Sequence, residues 1–145
     1  MRLNLYGNGI NKNQLERLIR KYELQDHVIL HGFVPDKASI WMTNMCCIMP
    51  SRMEGQSLAM LEAMSCRRMV NSTPVGDARR LILDNETGFL IASPSLDHID
   101  EALERAWAQK DKWIAYGKNA RTHLFNTITS DPVEYFANKI KDLLN

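Results

Sequence analysis

The chain has 145 residues, of which 45% are hydrophobic and 24% charged, the composition of ordinary globular protein with length for one packed core. The formal net charge of +1 gives no electrostatic argument for a nucleic-acid or membrane partner. No apolar run approaches a membrane span, no repeat or low-complexity segment is present, and MRLNLYGNG lacks the features of a signal peptide.

In chain order, Leu3 to Tyr6 is predicted to be a strand ending in Gly7-Asn8-Gly9. A helix over Asn13 to Glu23 follows, with Leu15, Leu18, Ile19 and Tyr22 at helical spacing. Val28 to Val34 is the next strand, closed by Pro35, and Asp36 to Asn44 the next helix. Cys46 to Met49 is a short strand before Pro50. A helix over Ser57 to Arg67, a strand over Met69 to Ser72 and a short helix over Gly76 to Leu83 come next. Asn85 to Gly88 is a turn and Phe89 to Ala92 the last strand. The remainder is helical: Leu96 to Gln109, Lys112 to Phe125 and Pro132 to Leu144. Strands alternating with helices imply an α/β, Rossmann-like three-layer domain with a mostly parallel sheet. Ligands of such sheets bind beyond the carboxyl ends of the strands, which directs attention to loops 7–12, 32–37, 50–57, 72–77 and 92–95.

Three cysteines, Cys46, Cys47 and Cys66, are an odd count without metal-type spacing. They read as reduced, mostly buried thiols of a cytoplasmic protein. Seven of the eight methionines lie between Met42 and Met69 and are expected chiefly to fill the core.

The stretch SLAMLEAMSC, residues 57–66, contains one charge, Glu62, and reads as a helix buried on most sides. The loop before it, Pro50 to Ser57, holds Glu54 and Gly55. Gly55 permits close backbone approach, and Ser57 is a fair N-cap. The amides of Gln56, Ser57 and Leu58 would point out of the helix start and suit a phosphate. Glu62, one to two turns along, can accept from hydroxyls such as a ribose diol, and Glu54 from a second set of hydroxyls. Hydroxyls, phosphate, hydroxyls is the pattern of a nucleotide-activated sugar. Spacing alone also fits Glu62 at an exposed helix edge and Glu54 as a solvated loop residue.

The line SRMEGQSLAMLEAMSCRRMVNSTPVGDARRLILDNETGFLI closely resembles the donor-binding, C-terminal domain of family 4 retaining glycosyltransferases of GT-B fold. The family pattern E-G-x-x-x-x-x-x-E-A-M is present as Glu54, Gly55, Glu62, Ala63 and Met64. LNLYGNGINKNQLERLIRKYEL, VILHGFVP and NETGFLI resemble further family segments, collinear from about residue 2 to residue 125. The resemblance implies that Glu62 holds the nucleotide ribose and Glu54 hydroxyls of the donor sugar. It implies that Gly55, Gln56, Ser57 and Leu58 bind the diphosphate, and that Val34, Asp36 and Lys37 frame the base. The donor would be a UDP- or GDP-sugar, transferred with retention and without a metal to a glycan or glycolipid. No catalytic residue is expected within these residues.

Departures accompany the match. The family's V-G-G-x-x-E loop reads Val75-Gly76-Asp77-Ala78-Arg79-Arg80, with Arg80 in place of the acid, and Asn8 stands where Asp is common. No segment matches the family's first strand and helix, which carry a diphosphate-clamping Arg and Lys, and no acceptor domain is present. In sheet order 3-2-1-4-5-6 the missing strand is the central one. The expectation is therefore a fragment of an enzyme, inactive alone, that needs an N-terminal acceptor domain or a partner chain. The alternative is a non-catalytic nucleotide-binding or split-enzyme module. A phosphate-binding Rossmann domain outside glycosyl transfer is a third reading, weakened by the pair Glu54 and Glu62.

Other motifs carry less. Gly7-Asn8-Gly9 is not a dinucleotide fingerprint, because residue 12 is Lys. His27 and His31 share strand parity without a third metal ligand nearby. Ser51, Ser57 and Ser65 lack triad context. Trp107, Trp113, Tyr116 and Tyr135 read as packing residues, some of them exposed where an acceptor domain would sit.

Overall fold

The computed structural model describes residues 1–128 and 131–144. Thr129, Ser130 and Asn145, within the region 96–145 expected to be helical, lie outside the described residues. The elements are β1 (Leu3–Tyr6), α1 (Lys12–Lys21), β2 (Val28–Gly32), α2 (Lys37–Thr43), β3 (Cys46–Met49), α3 (Leu58–Ser65) and β4 (Met69–Ser72). They continue with α4 (Ala78–Leu81), β5 (Gly88–Leu90), α5 (Leu96–Ala108), a 3₁₀ turn (Lys110–Lys112), α6 (Trp113–Thr127) and α7 (Pro132–Leu144). The predicted alternation is present, and every strand pairing is parallel. β2 stops two residues short of the predicted Val34, because Gly32 at φ +68° turns the chain out. The helix predicted over Gly76 to Leu83 shrinks to one turn, since Ile82 is already extended (φ −102°, ψ 114°).

The strands form two sheets, β1-β2 and β3-β4-β5. β1 does not pair with β3, so hydrogen bonding does not close the sheet. The chain correspondingly divides into two compact units, Met1–Ile40 and Trp41–Asn145.

In the first unit β1 and β2 run in register from Leu3 opposite Val28 to Leu5 opposite Leu30, and a shift then sets Tyr6 opposite Gly32. His31 stacks on Tyr6 at 4.7 Å and meets Asn4 Oδ1 at 2.9 Å. His27 Nδ1 lies 3.4 Å from the Met1 carbonyl, so the two histidines serve separate contacts. α1 buries no residue fully: Leu15 and Leu18 are 38% and 40% exposed, and Tyr22, which follows the helix, is 60% exposed.

In the second unit β4 is central and each of its four residues is buried. Met60 and Met64 from α3, Met69 and Val70 from β4, Phe89 from β5, Ala102 and Ala106 from α5, and Tyr116, Ala120 and Leu124 from α6 form its buried apolar interior. Tyr116 meets Phe89 edge-on at 5.8 Å and donates its hydroxyl proton to Gln109 Oε1 at 2.6 Å. Trp113 Nε1 donates to the Ala106 carbonyl at 2.8 Å. Tyr135 and Trp107 are exposed. The methionine expectation holds for Met60, Met64 and Met69 but not for Met42, Met45 and Met53, which are exposed. α3 likewise is not buried on most sides: it turns Met60, Ala63 and Met64 inward and leaves Leu58 exposed. Among the described residues no helix is long and apolar enough to cross a membrane.

The cysteines also divide. Cys47 is buried, Cys46 half-buried, and Cys66 exposed rather than buried as predicted. Burial pushes the Cys46 thiol up to about 11 and, with a smaller contribution from Cys46, the Cys47 thiol up to about 12. Cys66 is expected to react with iodoacetamide at pH 8 while Cys46 and Cys47 react only on unfolding; mass spectrometry of the labelled chain reads the sites. Both shifts raise the folded pKa above the unfolded value of 9.0. The stability they contribute is therefore present below that value and falls as pH rises from about 9 toward 12.

Candidate functional site

Residues 50–62 form a strand end, a loop and a helix start, as the spacing predicts. Ser57 is extended (φ −76°, ψ 113°) and caps α3, its Oγ accepting from the Met60 amide at 3.4 Å. The amides of Gln56, Ser57 and Leu58 donate no backbone hydrogen bond among the described residues. They stand at the positive end of α3, where an anion is stabilised. Gly55 has open space where a side chain would begin.

Glu54 and Glu62 are both half-buried. Ser51 Oγ donates to Glu54 Oε1 at 3.0 Å, leaving the second oxygen as an acceptor. Glu62 Oε2 receives the indole N–H of buried Trp41 at 3.4 Å. Arg68 Nε in turn donates to the Trp41 carbonyl at 2.6 Å, which helps hold that residue. Trp41 escaped sequence reasoning, because nothing in the spacing of α2 links it to a residue 21 positions on.

The loop 73–77 laces onto this segment. Thr73 Oγ1 donates to the Ser51 carbonyl at 2.6 Å, the Asp77 amide to the Gly55 carbonyl at 3.1 Å, and Gln56 Nε2 to Asp77 Oδ2 at 3.1 Å. Gly76 makes this approach possible. It lies at φ +54°, and a Cβ there would fall 1.8 Å from the Gly55 carbonyl oxygen. Arg80, the departure from the family acid, pairs with Asp77 at 3.2 Å and donates to the Thr127 carbonyl at 3.2 Å. It thereby ties this loop to the end of α6. The three serines serve as loop partner (Ser51), cap (Ser57) and donor to the Glu62 carbonyl at 2.8 Å (Ser65).

The structure brings Glu54, Gly55, Gln56, Ser57, Leu58 and Glu62 onto one loop–helix segment of the second unit. Val34, Asp36 and Lys37 lie in the first unit, after β2. There Asp36 Oδ1 accepts from the Ala38 amide at 3.0 Å, and Lys37 Nζ sits 4.9 Å from the centre of the Phe33 ring. The segment can seat an anion at backbone amides and accept hydroxyl hydrogens at two carboxylates.

A parallel α/β fold with this carboxylate–amide segment defines the class, and sequence comparison supplies the family. The description "Glycosyl transferases group 1" matches residues 1–123, and the chain belongs to that family. It is 33% identical over 102 residues to the lipopolysaccharide core biosynthesis mannosyltransferase LpcC of Rhizobium leguminosarum bv. viciae, covering 70% of this chain and 29% of that protein. It is 31% identical over 86 residues to the D-inositol 3-phosphate glycosyltransferase of Gordonia bronchialis, covering 59% and 19%. The chain thus spans less than a third of the length of these curated relatives. Among solved structures it superposes on a mutant of S. aureus TarM in complex with fondaparinux, alpha-GlcNAc-glycerol and UDP, at TM-score 0.83 and 23% identity. That match covers 100% of this chain and 29% of TarM. It also superposes on the C-terminal domain of the group 1 protein LpcC from Francisella tularensis, at TM-score 0.69 and 24% identity, over 83% and 63%. The fold is that of one Rossmann-like half of a GT-B glycosyltransferase.

Proposed function

We propose that the chain is the donor-binding portion of a family 4 retaining glycosyltransferase that transfers a hexosyl group from a UDP- or GDP-sugar to a glycan or glycolipid acceptor. The carrying observation is the pair of half-buried carboxylates, Glu54 and Glu62, on either side of the unpartnered amides of Gln56, Ser57 and Leu58. Glu62 accepts from the ribose diol, Glu54 from sugar hydroxyls, and the amides with Gly55 take the diphosphate. Val34, Asp36 and Lys37 take the base. The amides and the helix dipole meet the diphosphate charge, so binding is expected to persist in EDTA. Trp41 holds Glu62 toward the ribose, and Trp41→Phe is expected to weaken UDP or GDP binding about threefold to tenfold, beyond the loss of about 1–2 kcal/mol in stability that truncating a buried side chain brings, as read by calorimetry.

The separation of the strands into two small sheets, β1-β2 and β3-β4-β5, and the exposed apolar residues of α1 support the further reading that residues 1–145 are part of a larger assembly. The order 3-2-1-4-5-6 includes a central strand that no segment here matches, and in this reading another segment or a partner chain supplies it together with an acceptor domain. The test is complementation: the chain with an acceptor-domain partner, a UDP- or GDP-sugar and a glycan acceptor. Turnover with the partner and none without it is expected. Donor binding that persists without turnover in any pairing would favour the second reading, a non-catalytic nucleotide-binding module.

A further inference from the structure

α3 ends as unusually as it begins. The Arg67 amide donates to the Met64 carbonyl at 3.0 Å and the Arg68 amide to the Ala63 carbonyl at 2.9 Å. This is the pairing of a Schellman ending, with Arg67 at φ +59° in its left-handed position. Glycine fits that position without steric cost and arginine does not. α6 runs directly against the turn: a Cβ on Gly117 would fall 2.1 Å from the Arg67 carbonyl oxygen.

The turn and α6 border an open surface cavity of about 480 Å³ lined by Arg67, Lys118, Arg121, Thr122, Phe125 and Asn126, all of them exposed. Three cations share it with a hydroxyl and an amide, and among the described residues no carboxylate lines it. None of the ion pairs among the described residues involves Arg67, Lys118 or Arg121. Arg121 donates to the Ser65 carbonyl and lies 5.1 Å from the centre of the Phe125 ring, so its guanidinium is held in place. Cations gathered without a counter-charge repel one another, and a compact oxyanion reverses that cost through charge-assisted hydrogen bonds. The cavity lies at the opposite end of α3 from Ser57, beside the amino end of β4.

We propose that this cavity is a second anion site that binds a phosphate group, carried by a soluble phosphate ester or by the headgroup of an anionic lipid. The test is a ¹⁵N NMR titration of the chain with inorganic phosphate, alongside sedimentation with phosphatidylglycerol or phosphatidylcholine vesicles. Phosphate is expected to shift the amides of Arg67, Lys118 and Thr122 at millimolar concentration. Arg67→Gly restores the residue the turn prefers, so it is expected to hold or raise the thermal midpoint while weakening phosphate binding about fivefold or more. Lys118→Gln is expected to weaken binding similarly. Sedimentation with phosphatidylglycerol alone, lost in Arg67→Gly, would assign a lipid headgroup. Phosphate shifts without vesicle binding would assign a soluble ester. Shifts confined to Ser57 and Leu58, absence of any shift, or unchanged affinity in Arg67→Gly would overturn the proposal.

Discussion

Gly76→Ala is expected to destabilise the chain by about 2–4 kcal/mol and to abolish nucleotide binding. Two effects combine. The residue sits at φ +54°, which a β-carbon disfavours, and that carbon would fall 1.8 Å from the Gly55 carbonyl oxygen and 2.6 Å from that of Glu54. Backbone, not a flexible side chain, must move. What moves is the loop that carries Glu54 and the amides before α3, and with it the bond from the Asp77 amide to the Gly55 carbonyl. Gly55→Ala is the matched control, because its Cβ would meet nothing within 4 Å. Its stability is expected to change by no more than about 0.5 kcal/mol. Urea unfolding of the two variants reads the difference. Equal midpoints would mean that the 73–77 loop does not bear on residues 54–55 in solution.

The two glutamates are expected to separate by ligand. Glu62→Gln keeps shape but removes the charge that ribose hydroxyls would bond in the proposed site, and is expected to lower affinity for UDP or GDP by about 10- to 100-fold. Glu54→Gln is expected to leave the free nucleotide's affinity within about twofold and to lower that of the nucleotide sugar about tenfold. Calorimetric titration of each variant with nucleotide and with nucleotide sugar measures the split. The same loss in both variants for both ligands would indicate a generic anion-binding loop rather than a site with separate ribose and sugar ends.

The alternation of strands and helices was legible because period and punctuation are local. Pro50 and Pro74 close strands, Ser57 caps, and the strand at Cys46–Met49 falls where its apolar run predicts. Long-range contacts were not legible. Gly76 was expected to open a short helix, yet it lies in the loop and is what lets residues 73–77 lie against residues 54–55. Trp41 carried no signal of its own within the predicted helix Asp36 to Asn44, yet its indole meets Glu62. The burial of the methionine-rich stretch was overestimated for the same reason. The eight-residue α3 turns only part of its surface inward, and Met42, Met45 and Met53, which lie outside it on a short helix and in loops, are exposed without any local pattern to say so. The separation of β1 and β3 into different sheets was anticipated from the lack of a segment matching the family's first strand, a comparison of order rather than of local chemistry.

The most direct measurement is a calorimetric titration of the chain with UDP, GDP and their sugar conjugates, repeated on Glu62→Ala. Binding that favours one base, tightens or holds with the sugar attached, and disappears in Glu62→Ala is the predicted result. A folded chain that binds none of them, or binds them equally well without Glu62, would contradict a donor site at the start of α3.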